Sequence, residues 1–238
     1  MTFDEVLADL QAQARTTKHA ETGLWVAAQL RSRIAAGQLK PGSKLAEEAL
    51  REALGVSRNT LREAFTALHA EHIVTRIPNR GVFVAHPTAD DIREIYRVRR
   101  FLEPAAVLWS GQASMEALAG IIKAARAAAA AGDIPGMASA NQDFHRAIVD
   151  RAGSERLNSL MDQVLAEMRL VFHSMAANPA FHEPYVEDNA KIVELLEEGQ
   201  LAAAADFLAA YLDRAEAQLL DAVGRQGKPP GKRGLQDC

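Results

Sequence analysis

The chain has 238 residues, of which 48% are hydrophobic, 24% are charged and 5% are aromatic. This composition is typical of a water-soluble globular protein, and the length suffices for one or two packed domains. No apolar run approaches the roughly 20 residues of a membrane-spanning helix, so we expect no membrane partner. The acidic start MTFDEVLADL does not resemble a signal peptide, and the single cysteine, Cys238, excludes an internal disulfide. We therefore expect a cytoplasmic protein.

The net charge of -4 is distributed unevenly along the chain. Residues 24–86 hold nine Lys or Arg and five Asp or Glu, which gives a net charge of +4, whereas residues 87–238 hold sixteen and twenty-two, which gives -6. A basic segment joined to an acidic remainder is typical of a DNA-binding domain attached to a domain of another kind.

Taken in order, the chain begins with a weak helical pattern. Phe3, Val6, Leu7 and Leu10 give residues 1–20 one apolar side, and this N-terminal arm is either mobile or packed on the core. Apolar residues at helical spacing then predict a helix from Leu24 to Ala36, which Gly37 ends.

Two short helices that meet at a tight corner follow. Leu45, Leu50 and Leu54 form one apolar stripe of the first helix, and Gly55 ends it. Ser57 is the predicted N-cap of the second helix, which runs from Arg58 to about Ala70. Hydroxyl, amide and guanidinium groups face outward at its first turn, on Ser57, Arg58, Asn59, Thr60 and Arg62.

Such a turn suits the major groove of DNA, and a β-hairpin follows it. Arginine can bridge O6 and N7 of guanine, asparagine can bridge N6 and N7 of adenine, and a helix N-terminus with hydroxyls can hold phosphate. Residues 73–77 and 82–84 are rich in β-branched residues and flank a turn at residues 78–81. This hairpin is a wing that brings Asn79, Arg80 and Gly81 to a neighbouring groove, and Lys44, at the start of the helix-turn-helix stretch, is a further DNA-binding candidate.

From Thr88 onward every long segment has a helical pattern. Thr88 and Asp91 form a predicted N-terminal cap, and helices are predicted over residues 89–111, 115–131, 134–152, 154–176, 183–198 and 200–223. Breaks are expected at Gly111, Gly132, Gly153, Pro179 and Gly199. The predicted fold is therefore mainly α, with an N-terminal winged helix-turn-helix and a C-terminal antiparallel bundle of six to seven helices. The domains are residues 21–86 and 87–224, and a disordered tail is expected over 225–238.

Both segments resemble parts of one family. IAAGQLKPGSKLAEEAL, GVSRNTLREAFTAL and RGVFV are similar to the winged helix-turn-helix of the GntR family of bacterial transcription regulators. IREIYRVRRFLEPAA, NQDFHRAIVDRAGSERLNSLMDQVL and YVEDNAKIVELLEEGQLAAAADFLAAYLDRA are similar to the FCD effector domain of the FadR subfamily. The resemblance implies a homodimeric repressor, not an enzyme, that binds double-stranded DNA at a palindromic operator and a small-molecule effector. Glu48 departs from relatives that present Arg to DNA at its place.

Members of this subfamily often hold a divalent metal with an Asp and a His one turn apart and two later His residues. The matching places here are Asn141, His145, Asn189 and Tyr211. With one imidazole and no carboxylate, such a set predicts no metal and no cofactor. It predicts instead a polar pocket for a small metabolite, such as an organic acid.

Arg99 is the candidate anion anchor of this pocket, since it matches the family's Arg, and Glu103 lies one turn on. A buried Arg99–Glu103 pair that only orders the bundle explains the same residues equally well. A hydrogen-bonded core histidine is a rival role for His145. Arg169, Phe172 and His173 are further lining candidates.

Two other classes of function remain open. The first is a metal-binding helical protein or enzyme built on the Asn141–His145 helix, although the sequence offers no nucleophile–base pair, no Gly-rich phosphate loop and no second histidine at ligand spacing. The second is an architectural or interaction protein whose winged helix binds another protein. A protein-binding winged helix would not bind a palindromic DNA site. Binding to such a site that weakens as salt is added and depends strongly on the DNA sequence would therefore argue against this second class.

Overall fold

A computed structural model of the chain describes residues 1–16, 22–109, 115–175 and 179–226. The described residues divide into two compact units. The first, here the N-terminal unit, is Met1–Pro87 together with Asn158–Pro179, and the second, the helical unit, is Thr88–Leu157 together with the chain from Ala180 onward. The division after Pro87 lies where the sequence placed a boundary, but residues 158–179 group with the N-terminal unit rather than with the helical domain. No helix in the described ranges is long and apolar enough to cross a bilayer.

The N-terminal unit is a winged helix-turn-helix with an additional helix before it. Its elements are α1 (Phe3–Thr16), α2 (Gly23–Ala35), β1 (Lys44–Leu45), α3 (Glu47–Leu54), α4 (Arg58–Ala70), β2 (Val74–Ile77) and β3 (Gly81–Val84). Leu45, predicted to lie on the apolar stripe of the first helix, forms instead with Lys44 an edge strand that pairs antiparallel with Val82 and Phe83. The predicted hairpin is therefore part of a three-stranded sheet in the order β1-β3-β2.

Helix α1 belongs to the core of this unit. Val6 and Leu10 are fully buried and join the apolar cluster that includes Leu30 and Phe65. Asp9 accepts a hydrogen bond of 2.6 Å from the guanidinium of Arg33, a buried residue of α2. Of the two options that the sequence left open for the N-terminal arm, residues 3–16 therefore show the packed one, because their apolar side completes the core.

The second half of the chain is helical. Its elements are α5 (Ala89–Trp109), α6 (Glu116–Ala130), α7 (Ile134–Asp150), α8 (Glu155–Met175), α9 (Pro179–Glu197) and α10 (Leu201–Gln226). Together with the sheet of the N-terminal unit, they confirm the mainly α class. Gly132, Gly153 and Gly199 lie at the predicted breaks with positive φ of 64° to 73°. Gly111 and residues 227–238 of the predicted tail lie outside the described residues.

Two local predictions can be compared with these helices. The helix predicted over residues 183–198 starts four residues earlier, because Pro179, the residue expected at the break, is the first residue of α9, a position that needs no backbone N–H and suits the fixed φ of proline. The cap before α5 is confirmed: the Thr88 amide donates to Asp91 Oδ2 at 2.7 Å, and the Asp91 amide donates to Thr88 Oγ1 at 3.3 Å. In the helical unit α5 packs against α10 and α7, and α6 packs against α7.

Candidate functional site

The first turn of α4 presents the predicted DNA-binding side chains to solvent. Gly55 ends α3 in the left-handed conformation (φ +67°), and the chain re-enters a helix at Ser57, whose Oγ accepts from the Thr60 amide at 3.1 Å. Leu61 and Phe65 anchor the opposite side of α4 in the core. The side chains of Ser57, Arg58, Asn59 and Arg62 are exposed, and that of Thr60 is half-buried.

Two acidic residues border this surface. Glu63 accepts a hydrogen bond of 3.0 Å from the side-chain amide of Asn59, a contact that the sequence did not predict. The hydrogen bond from Arg51 lowers the pKa of the Glu48 carboxyl, and the charge of Arg58 acts in the same direction. Glu48 is therefore a carboxylate beside α4, and it accepts a hydrogen bond from Arg51 of its own helix.

Three further DNA-binding candidates lie together at the tip of the wing. Asn79 (φ +59°) and Gly81 (φ +105°) turn the chain between β2 and β3, and Arg80 is exposed with its guanidinium carbon 5.8 Å from the centre of the Phe83 ring. The Cε atom of Lys44 lies 3.3 Å from the place where a Cβ on Gly81 would be. A larger residue at Gly81 would therefore crowd the Lys44 side chain.

One cation of the wing was not among the residues singled out from the sequence. Arg76 is exposed on β2, where it pairs with Val82 of β3.

The predicted effector residues form a buried hydrogen-bonded network in the helical unit. Nε of Arg99 donates to Oε1 of Glu103 at 2.6 Å, and Oε2 of Glu103 lies 2.7 Å from Nδ1 of His145. Nε2 of His145 lies 3.1 Å from the hydroxyl of Tyr211. All four residues are buried.

Two amides extend this network. Oδ1 of Asn141 accepts from the hydroxyl of Tyr211 at 2.8 Å and from Nδ2 of Asn189 at 2.9 Å. The structure thus joins Arg99, Asn141, His145, Asn189 and Tyr211, which lie on α5, α7, α9 and α10, through Glu103. We call these six residues the polar network.

Burial and charge set the protonation states of the polar network. Burial by itself raises the pKa of the Glu103 carboxyl, but the charge of Arg99 and the hydrogen bonds from Arg99 and His145 outweigh it and bring the pKa to about 2. Burial lowers the pKa of His145 below its ordinary value, against the opposing effect of Glu103. Burial raises the pKa of the Tyr211 hydroxyl well above 10. The network therefore holds an Arg99–Glu103 ion pair, a neutral His145 and a protonated Tyr211 at neutral pH.

Two buried polar atoms of the polar network lack a hydrogen-bond partner within the described ranges. They are Nη2 of Arg99, a donor, and Oδ1 of Asn189, an acceptor. A buried polar group without a partner is unfavourable by about 1–3 kcal/mol. The network is therefore incomplete at both its guanidinium end and its amide end, and a bound molecule could complete it.

Three aromatic or polar neighbours of the polar network were not singled out from the sequence. The ring of Tyr96 lies 4.9 Å from the guanidinium carbon of Arg99, the rings of Tyr185 and Tyr211 are 4.8 Å apart, and Tyr185 donates to Gln218 at 2.6 Å. Helical spacing was a signal for the two tyrosines. Tyr96 precedes Arg99 by three residues and Tyr185 precedes Asn189 by four, so each lies on the same helix face as a residue of the polar network.

The structure does not bring every predicted lining residue to the polar network. Arg169 and Phe172 belong to the N-terminal unit, where Nε of Arg169 donates to the carbonyl oxygen of Ala35 at the end of α2. The side chain of His173 lies outside the described residues. Among the residues that the structure describes, no group of three His, Cys, Asp or Glu side chains is placed to hold a metal ion.

Known protein families match both halves of the chain. Residues 23–84 match "Bacterial regulatory proteins, gntR family", and residues 94–214, just over half of the chain, match "FCD domain". A solved structure of a transcriptional regulator GntR from Rhodococcus sp. RHA1 is 40% identical, with a TM-score of 0.79 over 84% of this chain and 98% of that chain.

Two curated proteins of Bacillus subtilis (strain 168) are similar to parts of the chain. The HTH-type transcriptional regulator YdhC is 31% identical over 57% of this chain and 63% of its own length. The gluconate operon transcriptional repressor is 39% identical over 40% of this chain and 39% of its own length. The chain thus matches less than two thirds of either protein. All three relatives are named as regulators of transcription and not as enzymes.

Proposed function

Because the chain belongs to the gntR family of bacterial regulatory proteins and carries an FCD domain, we propose that it is a cytoplasmic homodimeric repressor whose affinity for a palindromic DNA operator is controlled by a small organic acid. The observation that carries the DNA-binding part is the exposed, cationic first turn of α4. The observation that carries the effector part is the incomplete polar network of the helical unit.

The surface of the N-terminal unit suits double-stranded DNA. Arg58, Asn59 and Arg62 are exposed at the start of a helix whose opposite side is anchored in the core, so they can reach base edges without a rearrangement of the fold. The cations Lys44 and Arg80 lie at the wing, where they can contact a neighbouring groove or the phosphate backbone. The acidic Glu48 of α3 lies beside Arg58. Its negative charge repels phosphate, so α3 offers fewer positions for contacts with the DNA backbone.

The polar network suits a ligand with two different polar groups. A carboxylate could accept from Nη2 of Arg99, and a hydroxyl or amino group could donate to Oδ1 of Asn189, which are the two atoms without partners. The Tyr211 hydroxyl, which stays protonated, donates to Asn141 and so orients the amide that accepts from Asn189. This chemistry favours an acid that also bears a hydrogen-bond donor, and it requires no metal.

Control of DNA affinity requires a ligand that prefers one of two conformations of the dimer. A ligand that binds both conformations equally shifts nothing, whatever its affinity. Repression rather than activation is proposed because the gluconate operon relative is named a repressor.

Thermal-shift screening of the full chain against hydroxy acids and amino acids, with and without Zn²⁺ or Ni²⁺, tests the effector part. We expect a hydroxy or amino acid to raise the melting temperature without metal, and to raise it less in Asn189→Ala and Tyr211→Phe. A gel shift with an operator selected from random DNA tests the DNA part, and both variants should retain this binding. Stabilisation by metal alone, with no response to acids, would instead support the metal-binding alternative.

A further inference from the structure

Asn59 and Glu63 lie one turn apart on the outer side of α4. Their side chains are exposed, like that of Thr66 in the next turn, whereas Leu61 and Leu68 on the opposite side are buried. Nδ2 of Asn59 donates to Oε1 of Glu63 at 3.0 Å. The asparagine that is a candidate for reading a base is therefore already hydrogen-bonded within the free protein.

This hydrogen bond determines which way the amide of Asn59 faces. A carboxylate only accepts hydrogen bonds, so the nitrogen of the amide, and not its oxygen, lies on the side of Glu63. One hydrogen of Nδ2 is used in the contact. The other hydrogen of Nδ2 and the oxygen Oδ1 remain available, with Oδ1 on the side of the amide away from Glu63.

The start of α2 holds Glu63 in place. A Cβ on Gly23 would lie 2.9 Å from Cβ of Glu63 and 3.2 Å from its Oε2, so only glycine lets the first turn of α2 approach this closely. That turn has no acidic residue of its own, and the positive N-terminal end of a helix attracts a carboxylate. Glu63 is therefore confined by a second helix, which an isolated pair on the surface of one helix would lack.

We propose that Glu63 is a positioning residue that orients the amide of Asn59 for adenine in the major groove. The inference rests on the proposed function, because it requires that α4 bind DNA, and it adds the residue that fixes the base preference of Asn59. Adenine presents N7 as an acceptor beside its N6 amino group, a donor. In the orientation that Glu63 holds, Asn59 donates its second Nδ2 hydrogen to N7 and accepts from N6 through Oδ1.

A fixed orientation makes this contact selective. Guanine presents acceptors at both N7 and O6, so Oδ1 of a fixed Asn59 would face O6 with no hydrogen between the two oxygens. An amide that turns freely can instead donate to O6 and tolerate guanine. The negative charge of Glu63 also opposes the phosphate backbone, so its removal should raise affinity for every DNA sequence while it lowers the preference for adenine.

Fluorescence anisotropy of the full chain with variant operators tests the proposal. Each base pair of the operator that the wild type selects from random DNA is replaced in turn, and the position where Asn59→Ala loses the preference for adenine is the one that Asn59 reads. At this position we compare the dissociation constants for guanine and for adenine. We expect their ratio to be about 5- to 100-fold for the wild type and to fall by at least about threefold in Glu63→Ala.

Two further variants separate orientation from loss of charge. Glu63→Gln keeps an oxygen that can accept from Asn59 but adds a donor that permits the reverse orientation, so its ratio should lie between those of the wild type and Glu63→Ala. Glu52→Ala removes an exposed carboxylate from α3 of the same unit and should keep the ratio of the wild type. Equal falls of the ratio in Glu52→Ala and Glu63→Ala overturn the proposal, because charge alone would then explain them.

The double variant Asn59→Ala/Glu63→Ala distinguishes positioning from direct contact. Its ratio should equal that of Asn59→Ala, because a positioning residue acts only through the side chain that it orients. A loss of preference that Glu63→Ala causes equally with and without Asn59 overturns the proposal and makes Glu63 itself the base contact. An unchanged ratio in Glu63→Ala overturns it as well, as does an Asn59→Ala variant that keeps every base preference of the wild type.

The side-chain amide of Asn59 gives a readout without DNA. Its signal in the ¹H–¹⁵N spectrum of the free protein should move in Glu63→Ala and stay in place in Glu52→Ala. A signal that does not move in Glu63→Ala contradicts the hydrogen bond and overturns this inference, even if the wild type selects an operator as the proposed function requires. If the signal moves but the wild type selects no operator, the contact holds, and the proposed function fails together with the assignment to adenine.

Discussion

One oxygen of Glu103 lies 2.7 Å from Nδ1 of His145, and the other oxygen of the same carboxylate accepts a hydrogen bond of 2.6 Å from Arg99. A neutral His145 donates its Nδ1 hydrogen to Glu103, which leaves Nε2 as an acceptor facing Tyr211. The Tyr211 hydroxyl then has one hydrogen and two acceptors, Nε2 of His145 and Oδ1 of Asn141. Glu103 therefore holds the cation of the polar network and fixes the orientation of its imidazole.

Acid should weaken the helical unit through His145. Burial lowers the pKa of this histidine, so below pH 6.5 the unfolded chain takes up a proton more readily than the folded one. The stability that the neutral imidazole contributes is present above pH 6.5 and is lost as the pH falls through the lower pKa of the folded state. Urea unfolding between pH 7 and pH 5 should show a steeper loss for the wild type than for His145→Gln.

The control for this pH dependence is His86→Gln, which changes an exposed histidine of the N-terminal unit. It should keep the slope of the wild type. Equal slopes for the wild type and His145→Gln would show that His145 is not a buried neutral group. Glu103 contributes a separate loss at more acid pH, because its pKa is lowered from 4.5 to about 2.

Removal of Glu103 should destabilise the helical unit strongly. Glu103→Ala leaves the guanidinium of Arg99 buried without its carboxylate, and loss of one partner of a buried pair costs about 3–5 kcal/mol. Glu94→Ala is the matched control, because Glu94 pairs with Arg97 on the same helix but at the surface, where such a pair contributes about 0–1 kcal/mol. Denaturant unfolding measures both, and equal losses would contradict the buried ion pair.

Affinity for the operator should fall when either arginine at the first turn of α4 is truncated. Arg58→Ala and Arg62→Ala should each lower specific operator affinity by about 1–3 kcal/mol if the guanidinium contacts a guanine edge, with little change in folding because both side chains are exposed. Fluorescence anisotropy on the selected operator gives the affinities. Arg126→Ala, which removes an exposed arginine paired with Glu187 on the helical unit, should bind like the wild type. Unchanged affinity in both variants would show that neither Arg58 nor Arg62 contacts DNA.

Helix α1 should contribute to the stability of the N-terminal unit. Leu10→Ala removes a fully buried side chain of the core cluster, and such truncations cost about 2–5 kcal/mol. The control is Gln11→Ala, since Gln11 is the next residue of α1 and is exposed. It should change the free energy of unfolding by less than about 0.5 kcal/mol. Urea unfolding compares the two, and a harmless Leu10→Ala would show that α1 does not complete this core.

The local elements of the fold followed from the sequence. The corner at Gly55, the cap at Ser57 and the recognition helix over residues 58–70 are decided by residues close together in the chain, through backbone conformation and helical periodicity. The same holds for the glycines that end α6 and α7 and for the cap at Thr88. These features depend on short-range chemistry, so pattern alone determines them.

The tertiary structure decided which distant residues meet. Lys44 and Leu45 became a strand because β3 offered them partners, and Arg169 grouped with α2 because its guanidinium reaches the carbonyl of Ala35. The polar network is joined through Glu103 only when four helices pack together. The same packing buries the two atoms of the network that lack partners within the described residues. Periodicity shows which side of a helix is buried, but the partner of that side is set by contacts over long sequence distances, and these exist only in the folded chain.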